Sequence, residues 1–303
     1  MGKTITSKLL FLSVFTAFIF AIVGIIWGLL SSSQMILFDG VYSVISLIMS
    51  LIALLGSMYV DKEDSGRFPF GKATIEPAIV IVQGVVISIL CVAAISSSIT
   101  SMMSRGREVA LGSALGYGIF SLVICFAIQY VMKKNRHHSE FIKAEAAQWL
   151  MDTLLSVAVV VGFIGALLLQ STSIAWIIPY IDPFMVLLAG LYFLSVPITL
   201  IKRNGRELLR MTPDSETQKR LETHVQKLKK NYHIEGASVR SSKVGRTMYI
   251  DIDFLLDRAS TVRTVEDMDR VREELDESFR DMSQKRWVNV SFTRKRKWAR
   301  ECS

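Results

Sequence analysis

The chain is 303 residues long, 51% hydrophobic and 20% charged, with a formal net charge of +8. Residues 1–201 hold 11 Lys+Arg against 10 Asp+Glu, whereas residues 202–303 hold 24 against 17. A single soluble domain and a disordered chain are both excluded: the first two-thirds is built for lipid and the last third for water.

In chain order, six stretches are apolar over the roughly 20 residues that a helix needs to cross a bilayer: about 8–30, 34–60, 75–100, 110–132, 142–170 and 180–201. The first is too long for a signal peptide and has no evident small-residue cleavage site, so it reads as a retained helix. With the N-terminus inside, the cytoplasmic loops and ends of the spans collect 13 Lys and Arg, against only Arg105 and Arg107 outside. Both termini are then cytoplasmic, in a multi-pass protein of the plasma (inner) membrane.

Past Pro213 the pattern turns polar. Residues 214–231 have helical spacing, with Leu221, Val225 and Leu228 on one stripe. Two alternating runs follow, Gly236–Ser242 and Thr247–Leu255, joined by a turn at Gly245. Residues 263–282 are helical again, with Val265, Met268, Val271, Leu275 and Phe279 as the apolar positions, and Trp287–Phe292 forms a last strand. The expected architecture is a membrane all-α domain of six transmembrane helices over 1–210, followed by a small α+β cytoplasmic domain (αββαβ, ferredoxin-like) over 211–303.

Charge within a membrane helix is costly and needs a partner or a task. Asp39 and Ser43 stand four apart on the second span; Gln148 and Asp152 stand four apart on the fifth. A four-residue step is about 6 Å along one helix face. Two such helices packed face to face bring four oxygen-bearing side chains around one point, the geometry of a cation site with a carboxylate on each helix. No basic residue lies in either helix interior to neutralise the two aspartates. The three cysteines (Cys91, Cys125 and Cys302) fall at no metal-ligand spacing and read as packing residues.

Phe38-Asp39-Gly40-Val41-Tyr42-Ser43 resembles the second-helix motif of the cation diffusion facilitator (cation efflux) family, usually Asp or His, three residues, then Asp. Gln148-Trp149-Leu150-Met151-Asp152 is similar to the fifth-helix motif, usually His, three residues, Asp. Phe68-Pro69-Phe70-Gly71 followed by Glu76 resembles the family's loop before the third helix, and Asp182-Pro183 opens the sixth helix as it does there. The resemblance implies a homodimeric exporter of divalent metal ions, coupled to protons by alternating access. Asp39, Ser43, Gln148 and Asp152 take the transport-ligand positions.

As a member the chain is divergent. Ser43 stands where the family has Asp, and Gln148 where it has His. Replacing ionic or nitrogenous ligands with neutral oxygen favours a harder ion such as Mn²⁺ or Fe²⁺ over Zn²⁺ as the transported cation. No histidine lies in a span, so proton coupling falls on Asp39 and Asp152, whose protons metal binding displaces. Glu145, seven residues before Asp152, reads either as an intake or relay carboxylate or as an interfacial residue near the helix end. In the loop, Lys72 and Thr74 stand at the family's His and Lys positions. Arg210 stands at the position of the aspartate that normally pairs with that lysine. A reversed pair, Glu76 with Arg210, is one reading of this junction, coupling the two domains; unrelated interfacial charges are the other.

On the strands of the cytoplasmic domain, Ala237, Asp253 and Phe292 stand where many relatives carry histidines for regulatory metal. The domain is therefore expected to serve dimerisation, with no cofactor. Asp61, Glu63 and Asp64 read as a solvated acidic loop or a cation lure, and His137-His138 as a polar loop or a weak metal lure. The basic tail 294–300 suits an anionic leaflet better than nucleic acid. Beside divalent export, two readings stay open: a monovalent cation (Na⁺)/proton antiporter, and a non-transporting regulatory membrane subunit. An enzyme is not expected, because no nucleophile–base pair, phosphate-binding glycine loop or zinc-hydrolase motif occurs.

Overall fold

The computed structural model describes residues 2–60, 66–135, 140–280 and 285–299. The acidic loop Asp61, Glu63 and Asp64, the His137-His138 pair and Cys302 lie outside the described residues. Six long helices come first: α1 (Gly2–Ser31), α2 (Gln34–Val60), α3 (Ile75–Met103), α4 (Leu111–Asn135), α5 (Glu140–Leu169) and α6 (Ile178–Leu208). Five described helices are long and apolar enough to cross a membrane, namely Phe11–Ser31, Ile75–Met103, Leu111–Asn135, Gln148–Leu169 and Ala175–Leu208. Within α2 the apolar stretch found is the shorter Gln34–Met49. The chain divides into two compact units, residues 1–52 with 83–199, and residues 53–82 with 200–303.

In the first unit, α1 and α2 cross backbone to backbone. A Cβ on Gly40 would lie 2.5 Å from the Ile25 nitrogen, and one on Gly28 would lie 2.6 Å from the Leu37 nitrogen. Without a strong hydrophobic drive between helices in lipid, such close small-residue crossings supply the packing. α1 closes through Ser32 at φ 57°, with Ser33 N–H returning to the Gly28 carbonyl at 3.2 Å. Ser33 then caps α2, its hydroxyl accepting from the Ile36 N–H at 3.2 Å.

The start of α2 is also capped from α6. The buried Asp182 carboxylate accepts from the Ser33 hydroxyl at 2.5 Å and from the backbone N–H groups of Gln34 at 2.8 Å and Met35 at 3.3 Å. The next residue, Pro183, has no N–H and leaves the Pro179 carbonyl without its helical donor. The Arg107 backbone N–H fills that place at 2.8 Å. Gly106, at φ +81°, permits the approach, since a Cβ there would meet the Pro179 oxygen at 2.7 Å.

In the second unit, α7 (Ser215–Asn231) is followed by β1 (Gly236–Val244), β2 (Thr247–Leu255), α8 (Val265–Ser278) and β3 (Lys285–Thr293). β1 and β2 are an antiparallel hairpin, with Val244 opposite Thr247; β3 runs parallel to β2, giving the strand order β1-β2-β3. Asp214 caps α7 by accepting the Thr217 N–H at 2.8 Å, and Thr264 with Asp267 forms a reciprocal capping box on α8. The core joins Leu221, Val225 and Leu228 to Met248, Ile250, Ile252 and Phe254, and to Val271, Leu275 and Phe279. Val265 departs from the expected stripe: it is the first residue of α8 and is 65% exposed.

Candidate metal centre

Asp39 lies on α2, six residues into the helix that Ser33 and Asp182 fix, and Asp152 lies in the middle of α5. Both side chains are half-buried. The two carboxylates are close enough to act on each other electrostatically, and Glu145 also acts on Asp152. Around them sit groups that feel both charges: the Tyr42 and Tyr117 hydroxyls and the Cys125 thiol. Tyr117, 1% exposed on α4, donates its hydroxyl to Asp39 Oδ2 at 3.0 Å. α4 and α5 are pinned beside this point by the Ser121 and Ser156 hydroxyls, 2.6 Å apart.

The Ser43 hydroxyl donates to the Asp39 carbonyl at 2.9 Å, which uses its proton and leaves its lone pairs available. Gln148 is exposed and Glu145 half-buried on the same helix as Asp152. Glu145 accepts from the buried Ser13 hydroxyl on α1, and the Trp149 indole N–H donates to the same hydroxyl at 2.7 Å. Among the described residues no three His, Cys, Asp or Glu side chains converge as a metal-holding group.

Glu76, at the start of α3, pairs with Arg246 on the β1–β2 hairpin tip, at 2.7 Å from Nε and 2.6 Å from Nη2. Arg210 instead lies over the Tyr249 ring, 5.0 Å from its centroid. The difference from the expected partner has a geometric cause: the two-residue turn at Gly245 carries Arg246 directly against Glu76. A Cβ on Gly245 would stand only 2.7 Å from Glu76 Oε2.

Tyr117, Ser13 and Trp149 were not legible as site residues. Tyr117 and Ser13 sit in apolar runs and Trp149 inside the fifth-helix motif, and the polar partner of each is 78, 132 or 136 positions away. A lone hydroxyl or indole in a lipid-facing span is the one hint, since such groups find a partner when buried.

The family model described as the cation efflux transmembrane domain matches residues 10–209 of this chain. The chain belongs to the cation efflux family. It is also similar to the manganese efflux system protein MneP of Bacillus subtilis (strain 168). The two are 22% identical over 263 residues, which cover 86% of this chain and 87% of MneP. Membership makes this a multi-pass integral membrane protein that exports a metal cation, in a family of transporters rather than enzymes.

Proposed function

We propose that the protein exports a hard divalent cation, Mn²⁺ foremost, from the cytoplasm in exchange for protons by alternating access. The observation that carries the reading is the pair Asp39 and Asp152. These are two interacting carboxylates with no third acidic, histidine or cysteine ligand among the described residues. Two carboxylates balance one divalent charge, and the Ser43 and Gln148 side chains complete the shell with neutral oxygen, which suits Mn²⁺ better than Zn²⁺. The similarity to a protein named for manganese efflux adds support. Because metal ligands must be deprotonated, loading the site releases protons, and the same two aspartates serve the return half of the cycle.

In this reading the chain has six spans, counting the whole of α2, with both termini in the cytoplasm of the plasma (inner) membrane; the excess of Lys and Arg in the loops assigned to that side supports the orientation. The αββαβ domain joins two copies into a homodimer. Glu145, held by Ser13, is the relay carboxylate on the cytoplasmic side of Asp152, and Glu76 and Arg210 belong to the domain-coupling junction.

The test is transport by purified protein in proteoliposomes across Mn²⁺, Fe²⁺, Co²⁺, Zn²⁺, Cd²⁺ and Na⁺, with an imposed pH gradient and Asp152→Ala as control. Mn²⁺ flux that needs Asp39 and Asp152 and acidifies the opposite compartment is the expected result. A strong preference for Zn²⁺, or pH-driven transport surviving in both Asp→Asn variants, overturns the reading.

A further inference from the structure

Lys202, Arg203, Arg206 and Arg210 fall within nine residues at the end of α6. Arg203 and Arg206 line a cavity of about 400 Å³ together with Lys243 of β1 and the linker residues Met211, Thr212, Pro213 and Asp214. The acids in its wall are already engaged. Glu207 accepts the Gly245 N–H at 3.0 Å and lies 3.9 Å from Arg203; Asp214 accepts the Thr217 N–H and hydroxyl at 2.8 Å each. Lys243 acts on Asp214 only at longer range. Among the described residues, neither Arg206 nor Lys243 has an ion-pair partner within 4 Å. Arg206 and Lys243 thus face this space without an ion-pair partner among the described residues, beside Arg203, whose Glu207 also holds the Gly245 N–H, and Asp214, which is turned to the Thr217 N–H and hydroxyl.

We propose that this cavity binds a phosphate group, supplied by the headgroup of an anionic phospholipid. Guanidinium and ammonium groups are the usual partners of phosphate oxygens, and Arg adds a planar fork to the point charge of Lys. The placement selects the source. The cavity lies at the end of Ala175–Leu208, a helix long and apolar enough to cross a membrane whose last turns turn basic, and juxtamembrane basic clusters are attracted to anionic leaflets. A headgroup seated there touches α6 and β1 at once, so it ties the last turn of the helix to the hairpin that Glu207 also holds.

The test titrates phosphatidylglycerol, phosphatidylcholine and inorganic phosphate into the full-length protein in neutral detergent, with bound lipid read by native mass spectrometry. Arg206→Gln/Lys243→Gln is expected to weaken phosphatidylglycerol binding about thirtyfold, whereas the exposed pair Arg258→Gln/Arg263→Gln stays within about twofold. Should the double variant fail to fold, Lys243→Gln alone, on an exposed strand position, carries the test with an expected loss of about fivefold. Displacement of the lipid by inorganic phosphate supports one shared phosphate site. Equal losses in the two double variants, or no preference for phosphatidylglycerol over phosphatidylcholine, overturns the proposal. Phosphate binding that the variants abolish, without any lipid binding, overturns the lipid source.

Discussion

Arg246, at the tip of the β1–β2 hairpin, grips a single oxygen of Glu76 with two nitrogens, at 2.6 and 2.7 Å. Beside it, Gly245 N–H is held by Glu207 of α6 at 3.0 Å. The hairpin tip is therefore bonded to the start of α3 and the end of α6 through adjacent residues. Part-exposed ion pairs contribute little to stability, up to about 1 kcal/mol, so the role to test is coupling. Glu76→Arg and Arg246→Glu are each expected to lower transport with small changes in melting temperature, and the double swap to restore it. Combining Glu76→Arg with Arg210→Glu is expected to give no rescue.

Tyr117 donates to Asp39, and a hydrogen bond to a charged group is worth about 1.5–3 kcal/mol. Tyr117→Phe keeps the ring in its buried seat while removing that donor. The expected result is a KM for Mn²⁺ about tenfold higher with kcat changed less, measured in proteoliposomes. An unchanged KM would show that the hydroxyl does not orient the carboxylate.

Asp182 is as buried as any acid in the bundle, yet its oxygens are taken up by Ser33, Gln34 and Met35. Its task is structural. Asp182→Ala strands buried donors, each costing about 1–3 kcal/mol, so melting of the full-length protein should fall clearly. Metal affinity of the folded fraction, read by calorimetry, should stay near that of the parent, whereas Asp152→Ala should do the reverse.

Gly40→Ala forces a methyl to within 2.5 Å of the Ile25 backbone nitrogen, which no rotamer change relieves. Overpacking of this kind costs about 1–3 kcal/mol or more. Gly165→Ala, on α5 with open space beside it, is the matched control. Thermal melting in detergent should separate the two.

The Thr217 N–H and hydroxyl bonds hold the Asp214 carboxyl below the usual carboxylate range. A carboxyl lowered by folding stabilises the native state above its unfolded pKa, and that share is lost as pH falls through the lower folded value. α7 should therefore loosen only in acid, below about pH 4. Asp214→Ala is expected to cost about 1 kcal/mol at neutral pH and much less at the acid end, followed by circular dichroism of the full-length protein.

Periodicity made the helices and the core of the α+β domain legible: the stripes through Leu221, Val225 and Leu228 and through Met248 to Phe254 are buried as spaced. Spacing along one helix also singled out Asp39 with Ser43 and Asp152 with Gln148. It carried no information on who reaches across. Tyr117 meets Asp39 over 78 positions, and Ser13 meets Glu145 over 132. Arg210 lay at the expected position for a partner to Glu76. A tight turn in a hairpin 170 residues after Glu76 delivered Arg246 there first.

The cap that Asp182 places on α2 decides which parts of the bundle can separate. α2 carries Asp39, and its first turn is bonded at three points to α6, so these two helix ends travel as one body. In the proposed alternating-access cycle, parting Asp39 from Asp152 leaves that joint intact and breaks elsewhere, and among the described residues the Tyr117 hydroxyl is the one direct bond from Asp39 to α4. A single phenol, rather than a buried carboxylate, would be the latch of that proposed cycle.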